Sequence, residues 1–219
     1  MTGGIFVTGT GTDVGKTYVS ALLVRALRQN HVNAGYFKPA LSGAVRQGDR
    51  LIPGDAAYVC RTAALPDPPE TYVVYVYEPA VSPHLAARLT GKPPELPHML
   101  ARLDVLRARF AYVVAEGCGG LFCPLHEGEP PLFLTDVIAA TGYPLALVTP
   151  SGLGALHAAM TTLAYAKQHG LRTRVLYMNR FISGDPVHED NRVQLARMTG
   201  LPVIPVAANA QTIDFSPLL

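Results

Sequence analysis

Charged side chains are scarce in this sequence. Asp, Glu, Lys and Arg make up only 16% of its 219 residues, and the formal net charge is +2. A chain so near neutrality carries no strong field of one sign, so neither nucleic acid nor a membrane surface is expected as a partner. Cysteine is scarce too: Cys60, Cys118 and Cys123 are an odd number without metal-ligand spacing. That argues against a secreted disulfide framework and for a reducing cytosol, so the expected location is cytoplasmic. Long apolar runs are missing, none approaching the ~20 residues that a membrane helix needs. The first apolar run begins almost at once, which sets the expectation that no signal peptide is present. Lysine is rare as well: of eighteen basic side chains only four are lysines, Lys16, Lys38, Lys92 and Lys167. Lys16 and Lys38 stand at turns marked by glycine or proline, which points to a need for compact ammonium charges there.

What the sequence does have is apolar mass. Hydrophobic residues make up 49% of it, which fits a compact soluble enzyme with a sizeable core. At this length a single domain spanning residues 1–219 is expected.

The most informative stretch is Gly4-Ile5-Phe6-Val7-Thr8-Gly9-Thr10-Gly11-Thr12-Asp13-Val14-Gly15-Lys16-Thr17. A short apolar run, a glycine-rich turn and a helix start follow one another, the order that a phosphate cradle requires. Glycines let successive backbone N–H groups converge on phosphate oxygens, and the helix N-terminus adds partial positive charge. In such a loop Lys16 reaches the terminal phosphates and the Thr17 hydroxyl ligates Mg²⁺. The strict P-loop spacing is not met, since Gly9 leaves five residues before Gly15 and Gly11 leaves three. The context is right on both sides. Val19, Leu22, Leu23, Ala26 and Leu27 form a helical stripe, with Arg25 and Arg28 opposite. Nucleoside triphosphate binding is the expectation.

Further along, residues 33–39 read as a second strand closed by Pro39, with Lys38 at its carboxyl end, where ligands of open α/β sheets gather. Residues 43–54 are polar and glycine-bounded, a flexible loop. A helix then opens near Asp55, which is read either as its cap or as a magnesium ligand. Residues 72–77 are β-rich, and Ser82-Pro83 opens another helix, on which His84 reads as packed rather than catalytic. An amphipathic helix from about Glu95 to Phe110 leads into strand Tyr112–Ala115, which ends at Glu116-Gly117-Cys118-Gly119-Gly120. An acid just past a buried strand, in a chain with a P-loop, points to a magnesium carboxylate. The same turn also resembles a nucleophile elbow, with Cys118 as nucleophile and His126, His157 and Asp136 as partners. The bland reading of Cys118 is a small side chain in a tight turn. Thr135-Asp136 caps a short helix. Strands at 145–149, 174–179 and 202–205 flank a helix from Gly154 to His169, which Gly170 ends. Strands and helices alternate without repeats or linkers, so the expected fold class is α/β: one domain, a mainly parallel sheet with helices on both faces and right-handed crossovers.

Taken in order, these segments resemble the dethiobiotin synthetase family of P-loop enzymes. The resemblance spans nearly the whole chain. It rests on residues 6–17, on Tyr36-Phe37-Lys38-Pro39 with Ser42-Gly43, and on Gly54-Asp55-Ala56. It continues through Pro79, Ser82-Pro83-His84-Leu85-Ala86-Ala87, Glu116-Gly117-Cys118-Gly119-Gly120-Leu121 with Pro124-Leu125, Leu153-Gly154 and Asn179. The lengthened P-loop is the form this family uses.

The resemblance implies an ATP-dependent C–N ligase that closes a cyclic urea on 7,8-diaminononanoate with CO2, through a carbamate and a carbamic–phosphoric anhydride. It implies that Lys16, Lys38 and Thr12 are catalytic, and that Thr12, Lys38 and Ser42 face the substrate. Thr17, Asp55 and Glu116 would hold Mg²⁺. The nucleotide would lie along Asp13, Val14, Gly15, Lys16, Thr17 and Tyr18, with Asp55 and with Glu116, Gly117, Cys118 and Gly119. Arg180 would also bind the nucleotide, Asn179 would read the base, and Pro205, Val206 and Ala207 would complete the base site. A homodimer is also implied. Cys118 replaces the alanine of many relatives, and residues 154–157 lack the asparagine often found before the histidine. The competing reading is an ATPase of the ParA/MinD kind acting through a protein or membrane partner. Against it, Gly11 holds the place of that group's signature lysine, and no basic amphipathic tail is present. The cobyrinate and cobyric acid amide synthases share the fold, but they add a glutaminase domain for which this chain has no room.

Overall fold

The computed structural model describes residues 3–218. In chain order the elements are β1 (Gly3–Gly9), α1 (Lys16–Gln29), β2 (Ala34–Leu41), β3 (Val45–Gln47), β4 (Arg50–Ile52), α2 (Gly54–Ala63), β5 (Val73–Val76), α3 (Pro83–Thr90) and α4 (Leu96–Arg109). There follow β6 (Tyr112–Glu116), β7 (Pro124–His126), β8 (Leu132–Phe133), α5 (Leu134–Thr141), β9 (Leu145–Pro150), α6 (Ala155–Gln168), β10 (Thr173–Asn179), α7 (Pro186–Thr199) and β11 (Val203–Val206).

Seven strands form one sheet in the order β11-β10-β9-β1-β6-β2-β5. Every pairing in it is parallel. The crossovers from β1 through α1 and from β2 through α2 run toward one edge, and those after β5 run toward the other. With right-handed connections, that reversal places α1 and α2 on one face and α4 to α7 on the other. Central strands covered on both faces must be apolar throughout. All eight residues of β2 are buried, and Ile5, Phe6 and Val7 of β1 have no exposure.

The helix α1 buries more than the expected stripe. Ser20, Ala21 and Val24 are covered as well as Val19, Leu22, Leu23, Ala26 and Leu27, because α1 lies between the sheet and α2. Leu23 and Leu27 are fully enclosed; truncating either to alanine would cost about 3 kcal/mol through lost transfer energy and the cavity left behind.

Four expectations are corrected. Pro39 does not close β2, which continues to Leu41. The proline lies beyond the last β2–β6 pair, Phe37 with Ala115, where no donor is needed toward β6. The polar stretch 43–54 contains the antiparallel hairpin β3–β4, tied to the body where Ala44 N donates to the Tyr77 carbonyl and Arg46 pairs with Glu78. Asp55 does not cap α2, whose cap position is Pro53. Thr135 lies buried inside α5, and the Asp136 carboxylate receives the Phe133 N–H at 2.8 Å instead.

Candidate active site

Chain reversal at β1 leaves a crevice beyond the carboxyl ends of β1, β2 and β6, the usual ligand position in open α/β sheets. The loop after β1 fills one side of it. Asp13 (φ 58°) and Gly15 (φ 100°) are both left-handed, which turns the chain tightly into α1. No side chain caps α1, so its first N–H groups remain available to an anion. A Cβ on Gly15 would stand 1.9 Å from Asn179 Nδ2, so only glycine fits. Lys16 folds back over the loop and donates from Nζ to the Gly11 carbonyl at 2.8 Å.

The other side is built by the parallel pair β2 and β6. One residue beyond their last pair, Phe37 with Ala115, Lys38 meets Glu116. Lys38 Nζ lies 2.7 Å from Glu116 Oε1 and 2.7 Å from Asp55 Oδ2. Glu116 Oε1 also receives the Thr17 hydroxyl at 2.8 Å, and Oε2 receives the Tyr36 hydroxyl at 2.7 Å. A carboxylate with no exposure is tolerable only when paired in this way. Burial pulls the Lys38 ammonium toward neutrality, but the Glu116 and Asp55 carboxylates outweigh it and hold Lys38 above the ordinary lysine range. Lys16 goes the other way. Burial lowers it, and the neighbouring Lys38 charge lowers it further. Tyr36 is raised by burial and by Glu116, so its hydroxyl stays a donor.

Together these walls enclose a cleft of about 770 Å³. From the loop it is lined by Thr12, Asp13, Gly15, Lys16, Thr17 and Tyr18, and from β2 and α2 by Lys38, Ser42 and Asp55. Glu116, Gly117, Cys118, Gly119 and Arg180 line it as well. Five expected residues do not line it. Val14 and Asn179 are buried behind the loop, where Asn179 Nδ2 donates to the Val14 carbonyl at 2.9 Å. Pro205, Val206 and Ala207 lie at the end of β11, where the Ala207 carbonyl accepts from the Tyr18 hydroxyl at 3.2 Å. Arg180 reaches back to the Asp13 carbonyl at 3.1 Å. Leu41 and Tyr58 line the cleft without having been expected, and Tyr36 was missed as a partner of Glu116. Tyr36 precedes Lys38 by two residues on the same face of a strand, and Tyr58 follows Asp55 by one helical turn, so spacing alone could have flagged both.

Among the described residues no group of three His, Cys, Asp or Glu side chains gathers as a metal cluster. Instead the Asp55 and Glu116 carboxylates converge on the Lys38 ammonium, and the Thr17 hydroxyl donates to Glu116 Oε1. No histidine adjoins Cys118 among the described residues; the neighbouring Cys123 thiol and the charges of Lys38 and Lys16 hold it below its ordinary value despite burial. His84 turns to Glu127, 3.7 Å away.

A family model described as an AAA domain matches residues 3–211. An ATP-dependent dethiobiotin synthetase BioD of Clostridium botulinum (strain Eklund 17B / Type B) is 38% identical over 98% of this chain and 94% of its own length. The chain belongs to the dethiobiotin synthetase family. A second such synthetase, from the Alaska E43 / Type E3 strain, is 36% identical over the same shares. The fold is found more widely. A signal recognition particle receptor FtsY from Elizabethkingia anophelis superposes with a TM-score of 0.54 at 11% identity, covering 100% of this chain and 64% of that one. Family membership also disposes of the nucleophile-elbow and ParA/MinD readings, which the geometry around Cys118 and Gly11 does nothing to favour.

Proposed function

We infer that this chain performs the ATP-dependent closure of 7,8-diaminononanoate and CO2 to dethiobiotin, ADP and phosphate, a step of biotin formation. The observation that carries the reading is Lys38, held between Asp55 and Glu116 within one cleft with the P-loop residues Lys16 and Thr17. Such chemistry asks a protein for positioning and charge stabilisation more than for covalent help.

In this reading one amine takes up CO2 as a carbamate, the carbamate oxygen attacks the terminal phosphorus of ATP, and ADP leaves. The second amine then attacks the carbonyl carbon of the carbamic–phosphoric anhydride, phosphate departs and the ring closes. Lys16 and Lys38 would meet the negative charge on the transferring group, with Thr12 and Ser42 orienting the diamine from the cleft wall. Both lysine ammonium groups are buried, which strengthens their pull on an anion.

The donor set Thr17, Asp55 and Glu116 is all oxygen and carries two negative charges, which fits Mg²⁺. That the Lys38 ammonium lies against both carboxylates supports a site tuned for positive charge. Bound there, Mg²⁺ would neutralise phosphate charge. Asn179 Oδ1, with no hydrogen-bond partner among the described residues, is an acceptor suited to the amino group of adenine. Cys60, Cys118 and Cys123 are all free, which supports a reducing, cytoplasmic setting. Among the described residues no helix is long and apolar enough to cross a membrane. The homodimer is carried over from the family resemblance.

The test is turnover of MgATP, bicarbonate and 7,8-diaminononanoate, with dethiobiotin followed by mass spectrometry. Product that vanishes in Lys16→Ala and Lys38→Ala is expected. ATP hydrolysis indifferent to the diamine, with no dethiobiotin, would sink the reading.

A further inference from the structure

We propose that Tyr36 is a positioning residue for the cation site: its hydroxyl occupies Glu116 Oε2 and so commits Oε1 alone to the cleft. The proposal rests on the reading of Glu116 as a magnesium ligand and adds a residue to it.

The geometry is asymmetric. Tyr36 and Lys38 are two apart on β2 and project from the same face, under and beside Glu116. The tyrosine hydroxyl donates to Oε2 at 2.7 Å, and neither residue has any exposure. Oε1, by contrast, receives both groups that belong to the cleft, the Thr17 hydroxyl and the Lys38 ammonium. A carboxylate can present two oxygens to a cation or rotate about its terminal bond, which is soft. With Oε2 held from below, both freedoms are removed, and Glu116 can offer a cation one oxygen in one direction, beside Thr17.

Tyr36 has a further consequence for Lys38. Without the phenol, the buried Oε2 charge would lose its donor, and the carboxylate would turn to share both oxygens with the Lys38 ammonium 2.7 Å away. Lys38 would then be held more tightly by Glu116 and released less readily to a substrate anion. Tyr36 therefore serves both the cation and the lysine without touching either substrate.

Residues that orient metal ligands typically contribute 10- to 100-fold in metal affinity or activity. Tyr36→Phe keeps the ring that fills the core and deletes only the hydroxyl. It is expected to weaken Mn²⁺ binding about tenfold in the presence of a non-hydrolysable ATP analogue, read by electron paramagnetic resonance. Metal-free affinity for the same analogue should stay within about twofold, since Tyr36 does not line the cleft. Tyr72→Phe is the matched control: it removes another buried tyrosine hydroxyl, bonded to Asp67 at 2.9 Å. It should lower thermal stability without moving Mn²⁺ affinity. Replacement of Tyr36 by 4-aminophenylalanine restores a donor on the same ring and should restore Mn²⁺ affinity; it carries the test alone if the phenylalanine variant does not fold. Wild-type Mn²⁺ affinity in Tyr36→Phe, or weak binding with the amino analogue, would overturn the role of Tyr36. Failure of the wild type to bind Mn²⁺ with nucleotide would instead overturn the cation site itself.

Discussion

Lys38 Nζ lies 2.7 Å from Glu116 Oε1, and both side chains are buried in the sheet interior. Two neighbouring parallel strands thereby place a cation and an anion side by side where neither could stand alone. Removing the ammonium leaves Glu116 with the Tyr36 and Thr17 hydroxyls as its donors among the described residues. Lys38→Met should cost about 3 kcal/mol of stability and lower turnover by about 10²–10³. Denaturant melts and single-turnover kinetics check the two effects separately; a variant that is merely less stable but turns over normally would rule out the catalytic role.

The two cleft lysines should titrate on opposite sides of the ordinary value. Burial and the Lys38 charge lower Lys16, whereas Glu116 and Asp55 outweigh burial and raise Lys38. With so few lysines, ¹³Cε-lysine spectra can follow each one. Lys16 should lose its proton below the model-peptide value of 10.5 and Lys38 above it. By linkage, the stability from Lys38 is fully present below its unfolded value and is lost as pH rises through its higher folded value. Lys16 carries a burial cost below its folded value, relieved as pH climbs toward the unfolded one. The stability of Lys16→Met relative to the wild type should therefore fall as pH rises through the alkaline range toward 10.5. A gap that widens in the variant's favour would contradict the assignment.

Gly15 should tolerate no side chain. Its φ of 100° is unfavourable for any L-residue, and a Cβ would meet Asn179 Nδ2 at 1.9 Å. Gly15→Ala should cost more than about 2 kcal/mol and weaken ATP at least tenfold, because the clash displaces the residue that ties Val14 in place. Gly142→Ala is the comparison: its φ is 69°, but nothing lies within 4 Å of an added Cβ. It should cost about 1 kcal/mol and leave nucleotide affinity unchanged. Equal effects at the two positions, measured by calorimetry, would show that strain alone is at work.

Asn179 combines a used donor with an idle acceptor. Nδ2 donates to the Val14 carbonyl, and Oδ1 has no partner among the described residues. Asn179→Ala should therefore cost about 1–3 kcal/mol of stability. It should also narrow the preference for ATP over GTP, since an acceptor that pairs with an adenine amine is lost. Calorimetric titration of both nucleotides decides; an unchanged ratio would remove Asn179 from base recognition.

Much of this site was legible in order along the chain. Residues 4–17 declared strand, glycine-rich turn and helix through composition alone, because phosphate binding and chain reversal both demand small residues there. Lys38 and Glu116 stood out as charges at strand ends in a chain poor in charge. The loop-like stretch 43–54 was misread because its strands are only three residues long, with no residue fully buried, and the hairpin takes its support from Tyr77 and Glu78, distant in sequence. Asp55 sat at a helix start whether it capped α2 or served the cleft; the structure puts Pro53 at the cap and the Asp55 carboxylate against Lys38.

Local chemistry thus determined that the chain would alternate strands with helices and carry a phosphate loop, since periodicity and turn residues act over a few positions. Tertiary structure decided which charges meet. Lys38, Asp55 and Glu116 lie far apart in sequence and converge only through the order β1-β6-β2 and the packing of α2. That convergence sets the pairing of Glu116 Oε2 with Tyr36 and Oε1 with Thr17 and Lys38. No periodicity encodes such an assignment, because it depends on which strands become neighbours and on the low-dielectric interior that makes every buried charge find a partner.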